Sequence, residues 1–179
     1  MRLLFPSYAP PDKWRNDKQS KRLEGDAWQA IRKKILIRDN YTCQYCGYKS
    51  EKYQIIHHFD WDPKNNKDEN FCVICQMCNL IEHAGQGVAL RKVVDLYKES
   101  KYNQNEIIII TREMRDKGKS DGEIIIHLGL KDKAEFKMDR DYLKKLFGFV
   151  TSRRAVRLDS KGEMYNNWLA YHNRFNKKV

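Results

Sequence analysis

Apolar positions first recur at helical spacing over residues 26–38. Trp28, Ile31 and Ile35 share one face there, while Arg32, Lys33 and Arg38 fall largely on others. Asp26 suits an N-cap, so the stretch predicts an opening helix. Residues 53–59 change to the β-branched and aromatic content of a strand. Residues 70–74 predict a second strand after a polar loop, 60–69, that holds Pro63 and Asn65-Asn66. A helix is expected from near 78, with positions 79 and 83 on one face, ending at Gly85 and Gly87. Val88, Leu90, Val93, Val94 and Tyr97 predict another helix over 88–98, and 100–105 reads as a linker. Residues 106–117 predict a helix with Gly118 at C′. Ser120 and Glu123 then match a capping box that opens a short helix to about Leu128, before a turn at Gly129. This order predicts either a helix-turn-helix or a plain helical bundle.

The chain has 179 residues, enough for one domain or two small ones, and a formal net charge of +11. Such a charge suits a polyanionic partner, nucleic acid above all, or a lysine-rich surface with no special partner. Residues 131–179 hold 13 Lys or Arg against 6 Asp or Glu, and Arg153, Arg154 and Arg157 are the expected phosphate contacts. Residues 1–24 carry Pro6, Pro10 and Pro11 and five basic side chains from Lys13 to Arg22. They read as a basic arm along a phosphate backbone or as a loosely ordered terminus. No targeting signal and no apolar run of membrane length is present, so a cytoplasmic location without a membrane partner is expected.

All five cysteines lie between 43 and 78. An odd number without a secretory signal favours metal over disulfides. Cys43-x-x-Cys46 and Cys75-x-x-Cys78 have the spacing of a tetrahedral zinc site, although Cys72-x-x-Cys75 offers an overlapping pair. Between them stands the doublet His57-His58, and histidine beside other metal-capable groups suits metal-assisted hydrolysis. A regular strand sends adjacent side chains to opposite faces. Both histidines can therefore serve one site only if the strand ends or distorts there.

Residues 25–90 resemble the HNH endonucleases, the zinc-stapled branch of the ββα-metal nucleases. The resemblance is carried by the lead-in from Ile37 to Gly47, the His57-His58 doublet, Asn70, and Asn79 and His83 nine and thirteen positions after that Asn. It implies an α+β fold with a ββα core and a structural zinc on Cys43, Cys46, Cys75 and Cys78, leaving Cys72 as a small buried residue. It implies His58 as general base and Asn70 as the residue that pins the preceding loop. It also implies a catalytic divalent cation on His57 with Asn79, His83 or both. Magnesium is the family precedent, and imidazole ligands suit manganese, nickel or zinc as well. The expected organisation is a basic arm over 1–24, an HNH domain over 25–100 and a helical, basic DNA-binding region over 101–179. The expected function is a metal-dependent endonuclease of restriction, homing or phage type acting on double-stranded DNA, compatible with a homodimer. The alternative is a non-catalytic zinc adaptor that binds nucleic acid.

Overall fold

The computed structural model describes residues 1–10, 13 and 23–153, without the side chains of 89 and 90. Helix α1 (Gly25–Arg38) has Glu24 at its N-cap, two positions before the expected Asp26 cap. Strands β1 (Ile55–His58) and β2 (Phe71–Ile74) follow and pair antiparallel, with Ile55 opposite Ile74, Ile56 opposite Val73, His57 opposite Cys72 and His58 opposite Phe71. The strand period of two divides this hairpin between two partners. Ile56, Phe71 and Val73 pack with Ile35 and Leu36 of α1, alongside Trp28 and Ile31. Ile55, Cys72 and Ile74 join a second apolar cluster that holds the other four cysteines and Leu80 and Ile81 of α2 (Gln76–Glu82). The end of α1 also clips the hairpin through the backbone. The Arg38 guanidinium donates to the carbonyls of Asp68 and Phe71, each at 2.7 Å, and the Asp39 carboxylate accepts from Val73 N at 2.9 Å.

The helix expected over 88–98 is not formed. A π-helical turn, Gln86–Leu90, is followed by Lys92 at φ +53° and then by strand β3 (Val94–Glu99). Val94 and Leu96 alternate inward, and the hydrogen-bonding partners of β3 lie far along the chain. These are β4 (Lys131–Ala134) and β5 (Phe147–Val150), in the antiparallel order β4-β3-β5. The region after 100 is therefore mixed rather than mostly helical, and the sheet runs across the expected border at 100. Helix α3 (Gln104–Asp116) opens with a capping box of Asn103 and Glu106 in the stretch expected as linker. Helix α4 (Asp121–Leu128) has the Ser120–Glu123 box, with Gly129 at φ +64° as its left-handed C-cap. Ile124 and Leu128 of α4 pack with Ile107, Tyr97 and Phe149, so α4 is a cover for the sheet. Its exposed positions are Gly122, Glu123, Ile126 and His127, which offer no lysine or arginine to a nucleic-acid groove. The one-turn helix α5 (Arg140–Leu143) leads into β5.

The expectation of a loose or phosphate-tracking arm is corrected for residues 1–10. From Leu4 onward this segment is a strap against the cysteine-bearing cluster, with Leu4 only 4% exposed, while Met1 and Leu3 stay exposed. Arg2 N donates to Gln44 O at 2.9 Å and Ser7 N to Ile81 O at 3.0 Å, while the Tyr8 hydroxyl donates to Met138 O at 3.0 Å. Asn105 of α3 is the buried keystone. Its Oδ1 accepts from Leu4 N at 2.9 Å, and its Nδ2 donates to Arg2 O at 2.6 Å and Tyr45 O at 2.7 Å. The strap crosses β5 at Gly148, where a Cβ would sit 2.6 Å from Ile81 Cδ1 and 3.4 Å from Pro6 Cγ.

Removing the Asn105 amide strands one backbone donor and two carbonyls in the interior. Asn105→Ala is expected to lower stability by about 3 kcal/mol, read as a fall in the urea unfolding midpoint at unchanged slope. A loss below about 0.5 kcal/mol, within the range of ordinary surface substitutions, would show that the strap is not held this way.

Candidate metal centre and the histidine pair

The cysteines are gathered from two local structures. In the knuckle, Thr42 bridges to Lys49, Gly47 turns the chain at φ +74°, and Cys43 N donates to Tyr48 O at 2.9 Å. This folds Cys43 back towards Cys46. Cys75 is the extended N-cap residue of α2 and Cys78 lies one turn later, so both thiols point to the same side. The sulfur atoms of Cys43, Cys46, Cys75 and Cys78 lie within 4.8 Å of one another, and all four residues are buried. Cys46 and Cys75 sulfurs are 3.7 Å apart. A tetrahedral Zn–S distance of about 2.3 Å requires S–S edges of about 3.8 Å, so the donor set fits zinc in both chemistry and size. Hydrogen bonds from the three neighbouring thiols hold the Cys43 thiol far below its ordinary value, and its proximity pushes those of Cys75 and Cys78 up. A divalent ion held by these four residues would favour the thiolate form of each. Cys72 stands outside the group, across the hairpin from His57, and burial raises its thiol pKa so that it stays neutral.

The hairpin ladder stays regular through the His58–Phe71 pair, and the histidine doublet is accordingly divided. The His57 ring, 5% exposed, lies edge-on to that of His83 with centroids 5.2 Å apart, and its buried Nε2 has no hydrogen-bond partner among the described residues. Burial, followed by the His83 and His58 charges, depresses the His57 pKa well below the usual histidine value. His58 faces the other way. Its ring stacks parallel to Trp28 at 6.5 Å, leans on Phe71 at 4.6 Å and places Nε2 3.4 Å from Asn66 Oδ1. Asn70 binds the loop that leads to it. Its Nδ2 donates to Asp60 Oδ1 at 2.9 Å and Asn65 O at 2.8 Å, and its Oδ1 accepts from Asp60 N at 3.2 Å. Asn79 sits half-buried on α2, one turn before His83. The structure thus brings His57 and His83 together and sends His58 to the α1 side. Among the described residues, no second group of three or more His, Cys, Asp or Glu side chains is close enough to share an ion. The catalytic cation expected on His57, Asn79 and His83 is not supported.

Of the expected phosphate contacts, Arg154 and Arg157 lie outside the described residues. Arg153 is paired with Asp95, which also meets Lys133 at 3.3 Å. Two groups near the cysteines were invisible in sequence, Arg112 half-buried and Glu82 buried. Arg112 of α3 donates to the Cys75 sulfur at 3.3 Å. Glu82 of α2 is 6% exposed beside the Tyr45 hydroxyl, and burial raises its carboxyl pKa to about 7. Both fall on helices at positions whose residue type reads as solvent-facing.

The fold and site define a mixed α+β protein with small antiparallel sheets and a four-cysteine centre compatible with zinc. No family model matches the chain. Over 82 residues, 44% of this chain, it is 37% identical to the type 4 apparatus protein DotN of Legionella pneumophila subsp. pneumophila (strain Philadelphia 1). The match covers 37% of the length of that relative. The finding corrects the functional expectation, because the relative is named as part of an apparatus and not as a nuclease. Metal-dependent cleavage of double-stranded DNA, a restriction-type role and a nucleic-acid partner are therefore withdrawn for this chain. The structural observations agree with that correction, since the histidine doublet is divided and α4 presents no basic reading face.

Zinc analysis of the purified chain should give one zinc per protein. Cys75→Ser should lose it and unfold the region around α2, whereas Cys72→Ser should retain it with a stability change of about 1 kcal/mol or less. Retention in the first variant with loss in the second would reassign the ligands. The Glu82 carboxyl gives a pH test. Its folded pKa is raised above the ordinary carboxyl value. It therefore contributes stability fully below about pH 4.5, and that contribution is lost as pH rises to about 7. Glu82→Gln should gain stability over the parent between pH 5.5 and 8, by about 3 kcal/mol at the upper end. A gain that does not vary with pH would mean that Glu82 keeps an ordinary carboxyl pKa in the fold.

Proposed function

We propose that this chain is a zinc-stapled structural component that binds protein partners within a type 4, secretion-type apparatus, working on the cytoplasmic side. The observation that carries the reading is the 37% identity to DotN over 82 residues. The architecture supports it. The cysteine knuckle, hairpin and helix resemble an HNH scaffold, and we read them as that scaffold kept for rigidity, with no catalytic step assigned. Two imidazoles enclosed between β1 and the end of α2, and a third packed flat on Trp28, suit a packed support. A reduced cysteine set holding zinc suits a reducing compartment.

The reading predicts a definite binding pattern for the full chain. Affinity isolation from the native host under zinc-replete conditions should recover apparatus proteins, and binary reconstitution with the strongest of them should give a stoichiometric complex by light scattering. Chelation of zinc beforehand should abolish that complex. Incubation with supercoiled plasmid and Mg2+ or Mn2+ should leave the plasmid intact. Failure to form any binary complex with the recovered proteins, together with plasmid nicking lost in His58→Ala, would sink the proposal.

A further inference from the structure

Asn105, Ile108 and Arg112 recur three and four positions apart on α3 and so share one face of the helix. That face lies against the cysteine knuckle along its whole length. Asn105 donates to Tyr45 O at 2.7 Å, and Ile108 is fully buried in the cluster that contains Cys43, Cys46, Cys75 and Cys78. Arg112 reaches the metal ligands themselves. Its Nη2 donates to Cys75 Sγ at 3.3 Å, and its guanidinium carbon lies 3.7 Å from the centroid of the Tyr48 ring. Tyr48 is in turn placed by the knuckle, since its carbonyl accepts from Cys43 N and from Gln54 Nε2, each at 2.9 Å. A planar, delocalised cation can lie on the tyrosine ring and direct an N–H at the sulfur at once, which an ammonium on a flexible stem does less well.

Zinc with four thiolates carries a net charge of −2, and its outward-facing sulfurs are the points where protons, alkylating agents and competing metals attack. A guanidinium hydrogen bond withdraws charge from the sulfur that receives it. We propose that Arg112 is a positioning residue for the zinc centre: it shields the Cys75 thiolate and makes zinc retention depend on α3 being seated against the knuckle. The helix that closes the second half of the fold thereby also locks the metal of the first.

The test uses the full chain loaded with zinc, with release into excess chelator followed as a first-order rate. Arg112→Met, which keeps the length and packing of the side chain, should release zinc on the order of 10-fold faster, the usual scale for losing a partner that orients a metal ligand. In the same variant Cys75 should become the first thiol alkylated by iodoacetamide, as located by peptide mass mapping. The sulfur-to-metal charge-transfer band of the Co2+-substituted protein should move to lower energy, because an undonated thiolate is a better electron donor. Tyr48→Leu should give an intermediate release rate. Ile108→Val, which loosens the same helix face without touching a sulfur, should stay within about twofold of the parent and so separates packing from shielding. Should Arg112→Met fail to fold, Arg112→Gln is measured in its place with the same expectations. A parental release rate in the folded Arg112 variant, or equal acceleration by Ile108→Val, would overturn the assignment.

Discussion

Four buried thiols with their sulfurs within 4.8 Å of each other are the constraint on which the rest of the fold depends, because they cannot all ionise without a cation between them. Much of the architecture serves to gather them. Two four-residue strands cannot hold a hairpin together in water. Here the four cysteines gather the approach to β1 and the exit of β2 into one cluster, so the hairpin is closed at its root. Its two faces are then free to take different partners, α1 on one side and α2 with the cysteine cluster on the other. Helix α3 builds on the second of these. Ile108 points into the cysteine-bearing cluster and the adjacent Ile107 into the cluster of Tyr97, Ile124 and Phe149, so one helix is a wall common to both.

The local grammar of this chain was readable where a few neighbouring residues decide the outcome. The cysteine spacing, the Ser120–Glu123 box and the left-handed glycines at 118 and 129 need no distant partner to take effect. The Asn70 hydrogen bonds to the loop at 60 and 65 are also short in sequence. What was not readable depends on residues far away. Val88, Val93, Val94 and Tyr97 fit a helical stripe by count, yet 94–99 becomes a strand because 131–134 and 147–150 arrive on either side of it. Leu4 reads as part of a proline-broken arm until Asn105 is in place to receive its amide. Arg112 reads as a solvent-facing helical arginine until Cys75 lies beneath it.

The histidines teach a related lesson about function. The residue types of a hydrolytic metal site are all present, but a strand that stays regular to its last pair divides the doublet between two faces. Chemistry depends on where side chains meet, and composition does not carry that. The positive charge is likewise not a partner by itself. Lys13, Arg38, Arg115 and Lys119 each meet a carboxylate of the same chain, and Lys133 and Arg153 share Asp95, while the net excess of +11 stands whatever the pairing.

The strap over residues 1–10 also bears on the order of events during synthesis. Several of its contacts reach more than a hundred positions along the chain, since Leu4 waits for Asn105, Tyr8 for Met138 and Arg140, and the passage over Gly148 waits for β5. The ribosome makes this segment well before any of its seats exist. Leu4, Pro6 and Ala9 must therefore stay unburied while the cysteine knuckle and hairpin, whose contacts are local, assemble behind them. Long-range closure of this kind is slow compared with local folding. The nascent chain thus holds a short apolar ribbon open until nearly all of the second sheet has emerged. That interval is when a chaperone, or an unintended neighbour, has access to it.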